Sequence, residues 1–178
     1  MSLKNLKIAL LSIIFIVGIS SCNEEDKSPN SPNTSGIPIG TIRAKVNGTL
    51  KTADKYVKAD MNNSINAVFI SGTGIENNSV ILTFNLGIGD FNGIGSYDLG
   101  IYDSHGLGVN AIYNDPIIGG YACTPNYTET KGKIIVTEYS KGKNIKGTFY
   151  YKAIKQGTAG NGPVNIDVTE GEFNISLE

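Results

Sequence analysis

From residue 37 onward, almost every stretch long enough for three helical turns contains Gly or Asn, and between these residues apolar side chains alternate with polar ones. A period of two is the signature of a strand with one face buried; a helix needs apolar residues at intervals of three and four. The residues between the interruptions are rich in Val, Ile, Thr and Tyr, which suit a pleated surface better than a helix. The chain is therefore read as a succession of strands.

Ile42, Ala44 and Val46 alternate with polar neighbours up to Asn47-Gly48, two residues that readily adopt positive φ, and the chain returns over 49–52. Asn-Gly between alternating runs predicts a two-residue hairpin. Central strands are predicted over 65–71 and 79–86, the second with Val80, Leu82, Phe84 and Leu86 on one face. Over 95–102, Tyr97, Leu99 and Ile101 share a face; 108–113 and 119–123 read as shorter strands. A turn of the form Ser-Lys-Gly-Lys-Asn joins strands over 133–139 and 145–154, the latter aligning Phe149, Tyr151 and Ala153. Residues 164–169 and 172–177 are expected to form a closing hairpin about Glu170-Gly171, with Phe173, Ile175 and Leu177 aligned. About ten short strands with turn residues between them predict one all-β domain over 37–178, an antiparallel β-sandwich or, as the alternative, a β-barrel. Roughly 140 residues suffice to bury a core.

The first 21 residues are of a different kind. Lys4 and Lys7 precede an apolar run over 8–17, followed by the small residues of Gly18-Ile19-Ser20-Ser21. This is the layout of a secretory signal, and the run is too short to span a bilayer. Cys22 follows directly, and Ile19-Ser20-Ser21-Cys22 resembles the lipobox of bacterial lipoproteins, with Ile19 and Ser21 as size-conserving departures from the usual pattern. The resemblance implies a diacylglyceryl group on the Cys22 thiol, cleavage before it, and attachment to the membrane through the N-terminal lipid. Residues 23–35 are polar, contain two prolines and include no apolar side chain, so 22–36 is expected to be a flexible tether. Glu24, Glu25 and Asp26 at its start resemble the acidic export signal that directs Bacteroidota lipoproteins to the outer face of the outer membrane.

Removing residues 1–21 with Lys4 and Lys7 takes the formal charge from −1 to −3. No basic excess remains to neutralise nucleic-acid phosphates. With Cys22 acylated, Cys123 is the other cysteine and cannot form an intramolecular disulfide.

Lys45-Val46-Asn47-Gly48-Thr49, Gly95-Ser96-Tyr97, Gly132-Lys133-Ile134-Ile135-Val136-Thr137, Ile145-Lys146-Gly147-Thr148-Phe149 and Gly171-Glu172-Phe173-Asn174-Ile175 occur in that order. Together they resemble a family of uncharacterised Bacteroidota lipoproteins with an N-G-x-x-W-x-A element, a G-x-Y, an I-x-G-T-F strand and a final G-x-F. The chain departs at the first element, with Leu50 and Thr52-Ala53 where the aromatic is usual. The resemblance implies an all-β envelope lipoprotein and brings no catalytic residues or cofactor.

Local chemistry offers little for catalysis. His105, the single histidine, lies in Asp103-Ser104-His105-Gly106, but triad members are assembled from distant segments, and a polar turn explains the sequence. Cys123 sits in an apolar strand without a nucleophile motif, as a small buried hydrophobe does. Asp90, Asp98, Asp103 and Asp115 lie in the central Gly-rich half. They are the candidates for a carboxylate-dependent hydrolase, and Asp90-Phe91-Asn92-Gly93 has a faint oxygen-ligand character without the spacing of a calcium loop. Tyr102, Tyr113 and Tyr121 are the candidates for a stacking face that would bind a glycan; Tyr97 is expected in the core. The expectation is a non-catalytic binding or structural module of the cell envelope, its partner a glycan or an envelope protein, with no metal and no cofactor.

Overall fold

A computed structural model describes residues 36–177 apart from 105, 107, 158 and 159. Cys22, Glu24, Glu25, Asp26 and His105 lie outside the described residues. The twelve strands are β1 (Thr41–Val46), β2 (Thr49–Ala53), β3 (Lys55–Asn62), β4 (Ala67–Glu76), β5 (Ser79–Ile88), β6 (Gly95–Leu99), β7 (Ile101–Tyr102), β8 (Gly108–Asp115), β9 (Gly119–Cys123), β10 (Gly132–Ser140), β11 (Asn144–Gln156) and β12 (Asn165–Ser176). They form one antiparallel sheet in the order β2-β1-β12-β11-β9-β8-β5-β4-β3, with β10 and β6 branching from β11 and β7 pairing with β8. The all-β antiparallel expectation holds, and the sheet curls almost into a barrel instead of dividing into two separate layers.

Closure follows from small residues. The edge strands β2 and β3 are separated in sequence by Asp54 alone, and Tyr56 takes a φ of 50° inside an irregularity of the β3–β4 register. The chain turns a corner there, as strands do when they pass from one side of an orthogonally packed sheet to the other. On β4, Gly72 and Gly74 let β2 approach: a Cβ on Gly74 would stand 2.7 Å from the Thr52 carbonyl oxygen, and one on Gly72 2.9 Å from the Ile42 side chain. Residues 49–61 are the one long stretch without Gly or Asn, and β3 within it is a strand that the pattern of interruptions did not mark.

The core is strongest where β11 and β12 meet. Gly147 is registered with Phe173 and Phe149 with Gly171. Each strand thus carries a Gly-x-Phe triplet, and the antiparallel register sets each ring over the other strand's glycine. A Cβ on Gly147 would lie 2.6 Å from the Phe173 ring, and one on Gly171 2.6 Å from the Phe149 ring. The two rings stack with centroids 6.4 Å apart, and Phe149 also meets Phe84 edge-on at 6.0 Å. On the opposite face the intervening residues Thr148 and Glu172 are directly paired and buried, and Glu172 accepts from Arg43 on β1 at 2.5 Å.

Three details differ from expectation. The Glu170-Gly171 hairpin does not exist: β12 is one strand, paired with β1 on one side and β11 on the other, and Glu170 (φ 50°) is the extra residue of a bulge in both registers. A left-handed residue before Gly is common to turns and bulges, so the dipeptide alone does not separate them. Val80 is 50% exposed, because the β4–β5 register slips between Gly74 and Ile75 and places it outside the face of Leu82, Phe84 and Leu86. Ile101 is 49% exposed, because Gly100 (φ 77°) bends the chain between β6 and β7 and breaks the alternation that Tyr97 and Leu99 begin. The Asn47-Gly48 turn is as predicted, with both residues at positive φ.

Phe149 and Phe173 are fully buried, and truncating either to Ala is expected to cost about 3–5 kcal/mol in urea unfolding. Gly171→Ala adds one methyl group against the Phe149 ring and carbonyl, and is expected to destabilise the domain by at least 1 kcal/mol. A Gly171→Ala midpoint at or above that of the unsubstituted protein would refute the interlock.

Candidate functional site

The sheet wall forks along β11. Residues 144–151 pair with β10, whereas Ile154, Lys155 and Gln156 pair with β9 on the same side. Between these, the Lys152 amide donates to the Lys131 carbonyl, which begins the loop side of the fork. The two branches meet again at β8: β9 pairs with its residues 111–115, and β7 pairs with Gly108 and Val109. The link from β10 to β8 is the segment β6–β7, whose first half pairs with β10 and whose second half, beyond the bend at Gly100, pairs with β8. The Gly100 amide donates to the Val109 carbonyl, and a Cβ at Gly100 would stand 3.1 Å from the Thr130 carbonyl oxygen. Glycine is required there by both its φ and its surroundings.

The loop 124–131 lies across the fork and is tied down by its own polar groups. The buried Thr130 hydroxyl is within hydrogen-bond reach of the carbonyl oxygens of Tyr127 (2.7 Å) and Thr124 (3.1 Å). The Tyr127 hydroxyl donates to Gln156 on β11, and the Tyr102 hydroxyl donates to Asn126 at 2.9 Å. Under the loop is Cys123, fully buried, its thiol pushed up to about 11 by burial, which the adjacent Thr130 hydroxyl only partly offsets. A thiol of that character carries almost no thiolate at neutral pH, which fits the reading of Cys123 as a packing residue.

Two clefts flank the β6–β7 bend and share Asp98 and Ile101. One, of about 420 Å³, lies between the bend and the loop and is lined by Tyr127, Thr128, Thr130 and Lys131 among others. The second, of about 350 Å³, runs toward Asp90, Ser96, Tyr102, Asp103 and Ser104. Together they make a groove across the bend whose rim carries the exposed side chains of Tyr102 and Ile101. Sequence reasoning missed this groove. The signals for it were Gly100 between two alternating pairs and the Thr-Pro-Asn-Tyr opening of the loop.

The carboxylates divide. Asp90, Asp98 and Asp103 all border the second cleft. Asp90 accepts from the Ser104 amide at 2.7 Å and from its hydroxyl at 2.6 Å, and Asp98 faces Lys133 at 3.3 Å. The Ser104 hydroxyl is therefore engaged with a carboxylate as a loop clasp. Among the described residues no group of three His, Cys, Asp or Glu side chains is placed to hold a metal ion.

Asp115 lies elsewhere, almost buried beside the turn after β8. It accepts from the amides of Ile117 (2.9 Å) and Ile118 (3.2 Å) and from the Tyr113 hydroxyl (3.1 Å), and Lys51 stands 3.6 Å away. Burial pushes its carboxyl up, but these donors together outweigh burial and hold it below the ordinary 3.8.

The three-tyrosine face does not form. Tyr102 is 58% exposed, but Tyr113 and Tyr121 are completely buried. Both lie on the inward alternation of β8 and β9, directly paired across the two strands. Their hydroxyls reach the sheet end instead of solvent, Tyr113 to Asp115 and Tyr121 to the Pro163 and Ile118 carbonyls. Tyr97 is half-buried, stacked on Phe91 at 5.7 Å, and donates to the Gly93 carbonyl.

Asp115→Asn keeps the shape but replaces two amide-to-carboxylate bonds and a lysine contact by weaker ones. A loss of about 1–3 kcal/mol at pH 7 is expected. Because the folded-state pKa is lowered, the contribution is present above the unfolded value near 3.8 and lost as pH falls below it. The stability gap between the two proteins should therefore narrow as pH falls below about 4; a gap that does not change with pH there would assign the loss to packing. Comparison with protein-family models, curated proteins and solved structures returned no match to this chain.

Proposed function

We propose that the chain is a lipid-anchored envelope lipoprotein whose β domain is a non-catalytic binding or structural module. The observation that carries this reading is Cys22 at the end of the Ile19-Ser20-Ser21 box, followed by thirteen polar residues and then the β domain. The architecture supports it. The first described residues are fastened to the end of β12, where the Gly40 amide donates to the Asn174 carbonyl and the Asn174 amide group donates to the Ile37 carbonyl. From Ile37 onward the described residues supply a continuous core, with Ile42, Phe84, Phe149 and Phe173 among its fully buried members. An anchor upstream of Gly36 thus leaves the domain intact. Attachment depends on acyl chains, because a chain of net formal charge −3 without its signal has no overall electrostatic attraction to an anionic surface that could hold it alone.

The binding face of such a module is the groove across the β6–β7 bend, where Tyr102, Ile101 and Thr128 stand beside Asp98. The glycan reading loses the stacking platform it was built on, and the hydrolase reading finds Asp90 and Asp98 in a clasp and an ion pair. Glu24, Glu25 and Asp26 are proposed to direct the lipoprotein to the outer face of the outer membrane.

Cys22→Ala is expected to move the protein from the detergent phase to the aqueous phase of a Triton X-114 partition, or to leave it as uncleaved precursor. A Cys22→Ala protein that still partitions into detergent with its signal removed would contradict the lipoprotein reading. Replacing Glu24, Glu25 and Asp26 by Ala should leave detergent partition intact and lower cleavage by external protease in whole cells.

A further inference from the structure

The two ends of the barrel differ in a way that the anchoring does not by itself require. At the end where the chain enters lie residues 36–40, the turn 63–66, the loop 89–94 and the turn 140–143; Thr41 is paired with Asn174 there, and Asn144 with Ser176 on one side and Ser140 on the other. The hairpin tips at Asn47-Gly48, Asn77-Asn78 and Ile117 are at the other end.

Both ends expose aliphatic side chains, and at the entry end these stand with Lys141 and Lys143, two lysines with no carboxylate partner among the described residues. Ile39 is 69% and Ile94 66% exposed at the entry end. Ile94 lines a cleft of about 510 Å³ together with Met61, Phe91, Asn92, Tyr139 and Lys141. The floor is rigid: Phe91 stacks on Tyr97 and meets Tyr139 edge-on at 4.9 Å. Lys143 follows Lys141 on the same exposed turn, and its carbonyl accepts from the Leu177 amide. At the far end, by contrast, Lys51 faces Asp115, and Lys155 donates to the carbonyl oxygens of Gly160 and Gly162.

We propose that the entry end is a lipid-facing surface, with Ile39 and Ile94 set into the head-group layer and Lys141 and Lys143 against anionic head groups. The proposal rests on acylation of Cys22. Thirteen residues separate Cys22 from Gly36, a span of at most about 45 Å when fully extended. The entry end is the nearer one at any shorter extension, because a ten-residue strand such as β4 adds about 33 Å before the far end is reached. Exposed aliphatic residues flanked by lysines are what an interfacial surface presents: the side chains enter the acyl boundary while the ammonium groups remain with the phosphates. A lipid anchor plus a weak surface contact is a two-signal attachment, and here the second signal would fix the domain's orientation.

The chain contains no tryptophan, so single-tryptophan reporters can be placed at will. Ile94→Trp, Ile39→Trp and, at the far end, Ile117→Trp occupy exposed positions and are made in the full acylated protein. Each is reconstituted into vesicles of phosphatidylcholine and phosphatidylglycerol at 3:1. Ile94→Trp and Ile39→Trp should show blue-shifted emission and quenching by brominated lipid, Ile117→Trp neither, and adding Lys141→Glu with Lys143→Glu should at least halve the quenching. If the protein floats with the vesicles but all three reporters emit as in water, or all three are quenched alike, the surface proposal falls and the anchoring stands. If the protein is not acylated and does not float, both fall.

Discussion

Two Gly-x-Phe triplets on neighbouring antiparallel strands hold this domain together. Gly147 and Phe149 on β11 meet Phe173 and Gly171 on β12, so that each ring fills the space left by the other strand's missing side chain. Glycine inside a strand is ordinarily a weakness, since it has no side chain to bury and more freedom to lose. Here the defect becomes a socket, and two sockets of opposite sense fix the register of the central pair: a slip of one residue would unseat both rings and turn them outward. The arrangement also determines the opposite face, where Thr148 is forced beside Glu172 and Glu172 is met by Arg43. From the same centre the aromatic contacts run to Phe84 and on to Tyr113 at 5.2 Å, which links β11 and β12 to the far wall of the barrel.

The wall that this core supports is not uniform. One seam is made by β2 crossing over Gly72 and Gly74, and another by the branches of β11 rejoining at β8 through the bend at Gly100. Each uses glycine because a neighbour occupies the position of a side chain: the Thr52 carbonyl at Gly74, the Ile42 side chain at Gly72 and the Thr130 carbonyl at Gly100. The first seam is filled. The second is covered by a loop held through Thr130, Tyr127 and Asn126, and it leaves open clefts on both sides of the bend. A groove at this second seam has its positions fixed by the strands beneath it, which is what recognition requires of a wall.

Much of this was legible in the sequence, for physical reasons that also explain what was not. Alternation identified most of the strands, though not β3, and Asn47-Gly48 identified its hairpin, because positive φ at two successive residues has few other uses. Phe149 and Phe173 could be placed in the core, but their pairing with the two glycines could not, since the register between β11 and β12 depends on the bulge at Glu170. That residue lies in a dipeptide with the local chemistry of a turn, and only the hydrogen bonds on both sides of β12 identify it as a bulge. The tyrosines failed for a related reason. Their crowding between residues 97 and 127 suggested a surface, but Tyr113 and Tyr121 lie on the inward alternation of adjacent strands, and each hydroxyl finds its partner at the barrel's end. The fork was illegible because β10 and β9 take successive lengths of one side of β11, and alternation within a strand does not encode its choice of partner.

Hydrogen exchange followed residue by residue in the native protein tests the interlock most directly, since it reports local opening free energies without altering any side chain. If the two triplets hold the sheet closed, the hydrogen-bonded amides of β11 and β12 between residues 145–149 and 171–175 should be the last to exchange, opening only with global unfolding, while those of β6, β7 and the loop 124–131 open earlier. Protection around Phe149 and Phe173 no greater than that of the loop, with β4 and β5 still protected, would contradict the account and move the centre of the fold to the other side of the barrel.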